Sequence, residues 1–339
     1  MRAETNASSL VSIAEWVGLD GVVFERQYKD HLSDFHAWNQ KDHADKWLLF
    51  VDNLGTHLSL DETSVSNGEL YSVLTNKAAK GGKGSLVAMV EGTKTSDISA
   101  IFNKIPLVSR EKVIEVTLDF SSSMENAARG AFPNARITTD RFHVQQLVSE
   151  ALQEMRVSLR WKAIREENEA VGRAKKNHKH FTPVIYTNGD TRKQLLARSR
   201  YLLFKPENQW TVRQKQRAVI LFQEFPNLHE AYKLSMCFRN AYQSSKTKEE
   251  AQKQLTQWYK NVEEKNFDSF VTVAEYLKSH EETILNYFPD RQTNASAESF
   301  NAKLKGFRAL VRGVRDVSFF LFRVSKLYGY NLAPQLNYV

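Results

Sequence analysis

The chain has 339 residues, 42% hydrophobic and 25% charged, with a net charge of +8 and one cysteine, Cys237. This composition excludes disorder as the default and gives enough length for one large domain or two to three smaller ones. A single cysteine excludes an internal disulfide and any CxxC zinc ribbon or finger, and no run approaches the roughly 18–20 apolar residues needed to span a bilayer.

The N-terminal stretch MRAETNASSL lacks the apolar core of a signal peptide, so a cytoplasmic protein is expected, nucleoid-associated in a bacterial cell and without a membrane partner. Residues 8–31, SSLVSIAEWVGLDGVVFERQYKDH, carry Leu10, Ile13, Ala14 and Val17 at helical spacing. After a Gly-containing break at GLDG, a second helical pattern runs through Val23, Phe24 and Tyr28. The segment resembles a helix-turn-helix, although many short helical hairpins look the same. Residues 1–50 are therefore expected to form an N-terminal helical, DNA-binding region.

Over 51–150 the period changes. HLSLDE, LYSVLTN and SLVAMVEG are short β-rich runs bounded by turns such as SNGE and KGGKG, and read as an antiparallel meander. SDISAIFNKI reads as a crossover helix capped at Ser96 and leading to the strand VIEVTLD. SSSMENAARGAF is a second helix leading to the strand RITTD. The order βββαβαβ predicts an α/β fold with a mixed five-stranded sheet. Residues 151–284 are long, charged and helically periodic, with the short PVIY as the one strand-like run, and read as an all-helical insertion. Residues 285–339 return to the core with a capped helix starting near Ser296, a Gly-punctuated turn and a second, mostly apolar helix. Between Arg291 and Tyr330, eight Lys and Arg stand against two acids, so much of the positive charge lies here. A basic DNA-facing helix and an ordinary solvated helix face both fit that pattern.

Two strand-like runs, LSLD and VTLD, end on aspartates, Asp61 and Asp119. Ligands of open α/β sheets gather at the C-terminal strand ends. Two carboxylates delivered to one edge repel each other unless a cation holds them. With no cysteine nearby and no tight histidine pair, hard oxygen ligands favour Mg²⁺ or Mn²⁺ over zinc. A helix cap or turn explains a single such aspartate equally well.

LSLDETS (58–64), VIEVTLDFSSSM (113–124), FPNARITTDRFHV (132–144) and TNASAESFNAKLKGFR (293–308), in that order, resemble the DDE transposases of bacterial insertion sequences. The resemblance is closest to the ISL three family, in a subgroup read from more than one frame. It implies an RNase H-like core interrupted by a large helical insertion, with Asp61, Asp119 and Glu298 as the catalytic triad holding two Mg²⁺ or Mn²⁺ ions. Asp140, His143 and Asn301 are implied in supporting roles, and Asn301 shares the helix face of Glu298. Lys303, Lys305, Arg308, Arg312 and Arg315 would contact DNA. The implied activity is metal-dependent cleavage at element ends and transfer of the 3′-hydroxyl into target DNA. A repurposed DNA-binding protein and a purely hydrolytic nuclease are the alternatives. Partners would be double-stranded DNA, as terminal inverted repeats and target, and a second copy on that DNA. Related transposases begin with a cysteine-rich zinc module that this sequence does not contain. Recognition of the ends would then rest on residues 8–31, on the helical insertion, or on a separately encoded DNA-binding protein.

Overall fold

The computed structural model describes residues 2–66 and 68–330, so Asn67 of the SNGE turn and residues 331–339 of the expected final core segment lie outside the described residues. The chain divides into two compact units, one built from residues up to Asp140 and from Arg291 onward, the other from Arg141–Asp290.

The first unit is organised by six strands: β1 (Trp47–Leu49), β2 (His57–Ser64), β3 (Leu70–Asn76), β4 (Leu86–Glu91), β5 (Glu115–Leu118) and β6 (Arg136–Thr139). They lie in the order β1-β4-β3-β2-β5-β6. β1 to β4, β4 to β3 and β3 to β2 are antiparallel, whereas β2, β5 and β6 run parallel. The expected sheet of five strands is thus corrected to six. The additional edge strand has three residues, too few for a period-2 alternation to show in the sequence.

Alternation divides the sheet into two faces. Leu58, Leu60, Leu74, Val116, Leu118 and Ile137 pack with two crossover helices, α3 (Thr95–Phe102) and α4 (Ser122–Ala131), in one core cluster. Ala127, Ala128 and Ala131 let α4 approach closely. The α3 helix begins at Thr95 with Lys94 at the cap position; Ser96, the expected cap, bonds to the neighbouring Asp97 carboxylate at 3.2 Å instead.

On the opposite face, Tyr71, Val73 and Met89 pack against α11 (Ala295–Leu310) and α12 (Val317–Val324), through Phe300, Leu304, Phe307 and Phe319–Phe322. Toward β2, β5 and β6 the same face turns polar and stays buried, with Ser59, Thr117 and Thr138 level with one another across the three strands. The N-terminal hairpin of α1 (Leu10–Trp16) and α2 (Gly21–Gln27) turns at GLDG. Gly18 adopts φ +74° and Asp20 caps α2 by accepting the Val23 N–H at 2.8 Å. Leu10, Tyr28, Phe35 and Trp38 carry this region into the same core.

The second unit is helical among its described residues: α5 (Arg141–Lys176), α6 (Arg192–Arg198), α7 (Val212–Glu224), α8 (Pro226–Ser244), α9 (Lys248–Lys265) and α10 (Asp268–Ser279), with shorter segments between them. The expected strand at PVIY is only an isolated bridge between Ile185 and Thr191, because no second extended segment lies beside it to form a ladder. A reciprocal cap of Thr211 with Gln214 starts α7, and at the start of α6 Gln194 Oε1 accepts the Thr191 backbone N–H at 3.0 Å. Trp258 is fully buried against Phe238 and Tyr259.

Candidate active site

The parallel register aligns Leu60 with Leu118 and Leu118 with Thr139. The residues that follow, Asp61, Asp119 and Asp140, therefore stand level across three adjacent strands, spaced by roughly 4.8 Å per strand; β5 and β6 end there, whereas β2, expected to end on Asp61, continues to Ser64 because Glu62–Ser64 stay paired with β3. Asp61 and Asp119 are half-buried and Asp140 is buried. Asp119 does not cap the next helix. Ser121 does, accepting the Met124 N–H.

Helix α11 reaches all three acids. Asn301 donates from Nδ2 to Asp61 Oδ2 at 2.7 Å and to the Glu62 carbonyl at 3.2 Å. Asn294, at the cap position, donates from Nδ2 to Asp119 Oδ1 at 3.2 Å and from its backbone N–H to Asp140 Oδ1 at 3.0 Å. The helix starts at Ala295, one residue before the expected Ser296, because Asn294 holds the cap position while its side chain is turned to Asp119. Glu298 lies between the two asparagines, one turn from each, and is exposed. Phe300, Leu304 and Phe307 bury the underside of the helix and fix its rotation.

His143 stands three residues after Asp140, on the first turn of α5, and is half-buried. A carboxylate oxygen of Asp119 and one of Asp140 lie within 4.8 Å of one another. Two residues below Asp119 on β5, Thr117 belongs to a buried network. Lys77 Nζ donates to Glu115 Oε2 at 3.0 Å, to Thr117 Oγ1, and to Gln292 Oε1 at 3.4 Å. Burial pushes the Lys77 ammonium below its usual pKa, against the opposing pull of Glu115.

The sequence singles out Asp61, Asp119, Asp140, Glu298, Asn301 and His143, but not Asn294 or Lys77. Asn294 shows only as a helix-start residue in TNASAES, and Lys77 as a lone cation after a strand. Of the basic residues on α11 and beyond, Lys303 donates to the Gly81 carbonyl at 2.7 Å and Arg308 to the Ser64 carbonyl at 3.4 Å. Lys303, Lys305, Arg312 and Arg315 are all exposed, and Arg308 is half-buried. Trp258 is core, Trp210 donates to the Leu202 carbonyl at 2.8 Å within an aromatic cluster, and Trp161 is exposed.

The donor set fits a hard divalent cation. Carboxylates dominate it, and Asn294 Oδ1 and Asn301 Oδ1, on the side chains that donate to Asp119 and Asp61, are buried without hydrogen-bond partners among the described residues. Oxygens left so are costly unless water or an ion meets them.

A family model for DDE transposases of the ISL3 (ISL three) type, described as a transposase, matches residues 58–324, from β2 through α12. The chain belongs to the ISL3 family of DDE transposases. No curated protein matches it. For an ISL3 transposase, DNA is the substrate and a divalent metal is implied, and the oxygen-rich strand edge is a setting suited to one. Among the described residues, no helix of this transposase is long and apolar enough to cross a membrane.

Proposed function

We propose that this transposase cuts DNA at the ends of an insertion sequence and joins the freed 3′-hydroxyl to target DNA, using Asp61, Asp119 and Glu298 as its metal-binding triad. The observation that carries the reading is the level pairing of Asp61 with Asp119, each hydrogen-bonded by an asparagine of the helix that bears Glu298.

Two divalent ions, Mg²⁺ or Mn²⁺, held by these carboxylates would supply activation of the attacking oxygen and charge stabilisation of the leaving oxygen. The protein's own part is to hold its carboxylates where repulsion alone would separate them. Asn301 fixes the rotamer of Asp61, and Asn294 fixes Asp119 and Asp140 together. Asp140 and His143 act as supporting groups. In cleavage a water oxygen attacks phosphorus and the strand's 3′-oxygen leaves; in joining that 3′-hydroxyl attacks a target phosphate and displaces its 3′-oxygen in turn. Lys305, Arg312 and Arg315 contact the phosphate backbone, with Arg308 extending the track.

The N-terminal hairpin is poorly charged for recognising the ends: residues 8–31 carry Arg26 and Lys29 as their Lys and Arg, and Lys29 is paired with Asp316 at 2.7 Å. The helical insertion or a separate DNA-binding protein fills that role, and two copies on DNA hold the two ends.

The test supplies duplexes carrying the element's terminal repeats, uncut or with a pre-cut 3′-hydroxyl, together with Mg²⁺ and target DNA. Cleaved and joined products are expected from the wild type. Asp119→Asn should abolish both while DNA binding persists. Joining that survives this substitution contradicts the assignment. Cleavage without joining identifies a hydrolytic nuclease, and binding with neither reaction identifies a repurposed DNA-binding protein.

A further inference from the structure

Helix α11 returns to the sheet only after the 150 residues of Arg141–Asp290. Chain connectivity therefore does little to set where Glu298 stands, and lateral contacts must do it. One flank is held by Asn301 on Asp61. The other flank meets the turn between β3 and β4, residues 77–84, KAAKGGKG.

That turn is anchored at its own base. Asn76 accepts the Ala78 N–H at 3.0 Å and donates to the Asn53 carbonyl at 2.9 Å. Lys77 is tied to Glu115 and to Gln292, two residues before Asn294. At its tip, Gly81 adopts φ +67° and presses against α11. A Cβ there would sit 2.8 Å from Ser299 Oγ and 2.9 Å from the Phe300 backbone nitrogen. Four residues along the same flank, Lys303 Nζ closes the contact on the Gly81 carbonyl at 2.7 Å.

Helical geometry separates Lys303 from Lys305. At 100° per residue, Lys303 is rotated about 140° around the helix from Glu298, whereas Lys305 comes back to within about 20° of it. A DNA strand bound at Glu298 lies on the flank of Lys305.

The geometry points to Lys303 as a positioning residue: it clamps the β3–β4 turn onto α11, fixes the helix that carries Glu298, and takes no part in binding phosphate. The inference rests on the reading of Asp61, Asp119 and Glu298 as the catalytic acids. It extends that reading by naming what holds the third acid in place.

The test compares Lys303→Met, Lys303→Arg and Lys305→Met in the full chain, measuring DNA affinity across a salt series and single-turnover cleavage at saturating DNA with Mg²⁺. Lys303→Met should leave affinity and salt slope unchanged and slow cleavage roughly ten- to a hundredfold. Lys303→Arg, which keeps the donor, should recover most of that loss. Lys305→Met should reduce the salt slope by about one. Gly81→Ala disturbs the other half of the clamp without removing a charge, and should also slow cleavage with an unchanged slope. The proposal is overturned if Lys303→Met reduces the slope as Lys305→Met does and its cleavage recovers at saturating DNA. It is equally overturned if Lys303→Met and Gly81→Ala cleave at the wild-type rate. An inactive wild type, by contrast, sinks the catalytic reading of the site itself, and the salt slope of Lys303→Met still decides whether Lys303 binds phosphate.

Discussion

Asn294 and Asn301 carry no charge, yet they set where the acids stand. A carboxylate held by an oriented amide keeps one rotamer, and a row of level carboxylates needs that constraint because each is repelled by its neighbour. Replacing Asn301 with Leu should remove the donor to Asp61 and lower cleavage by roughly ten- to a hundredfold. DNA affinity should stay at the wild-type value, as read by gel shift beside a turnover assay. The sequence makes Asp61 and Asp119 legible because each ends an alternating run. Asp140 is equally visible, but its level position beside Asp119 emerges only from the parallel register of β5 and β6. Asn294 was hidden because an asparagine at a helix start ordinarily signals a cap, and nothing local distinguishes one that reaches across to another strand.

Among the elements, α11 is held by apolar anchors. Phe300 is fully buried, so Phe300→Ala should cost about 3–5 kcal/mol in chemical denaturation and loosen the seat of Glu298. In the helical unit, Asp190 joins α6 to α7 by accepting hydrogen bonds from Arg198 and, at 2.8 Å, from Arg217. Burial alone would raise its carboxyl, but the two guanidinium bonds outweigh burial and hold it below the usual carboxylate range. A depressed folded-state value stabilises the fold fully above the unfolded-state pKa of about 3.9, and that contribution is lost as pH falls through the lower folded value. Hydrogen-exchange protection factors in α6 and α7, corrected for the intrinsic rate, should fall below about pH 4. Asp190→Asn should weaken that dependence and cost roughly 2–3 kcal/mol, less than a fully buried pair because Arg198 is half exposed. The long strands and helices were readable from their periods. Strand β1 and the bridge at Ile185 were not, since a short extended segment is defined by its partner rather than by its own residues.

For the whole molecule, the excess of Lys and Arg after Arg291 predicts DNA binding whose logarithmic affinity falls linearly with the logarithm of salt concentration. Arg312→Gln with Arg315→Gln should make that slope shallower by about two. The insertion was legible from the 157 residues between Asp140 and Glu298, far more than a final crossover helix requires. What the sequence withheld is how the helix after such an interruption finds its seat, because that depends on long-range contacts such as Gly81 against Ser299. The central claim is that acids distant in sequence share a divalent cation. Anomalous diffraction from crystals grown with Mn²⁺ tests it most directly. A manganese peak bounded by Asp61, Asp119 and Glu298, absent in Asp119→Asn, is the predicted result; no peak at those carboxylates, or one that leaves Glu298 out of reach, would contradict it.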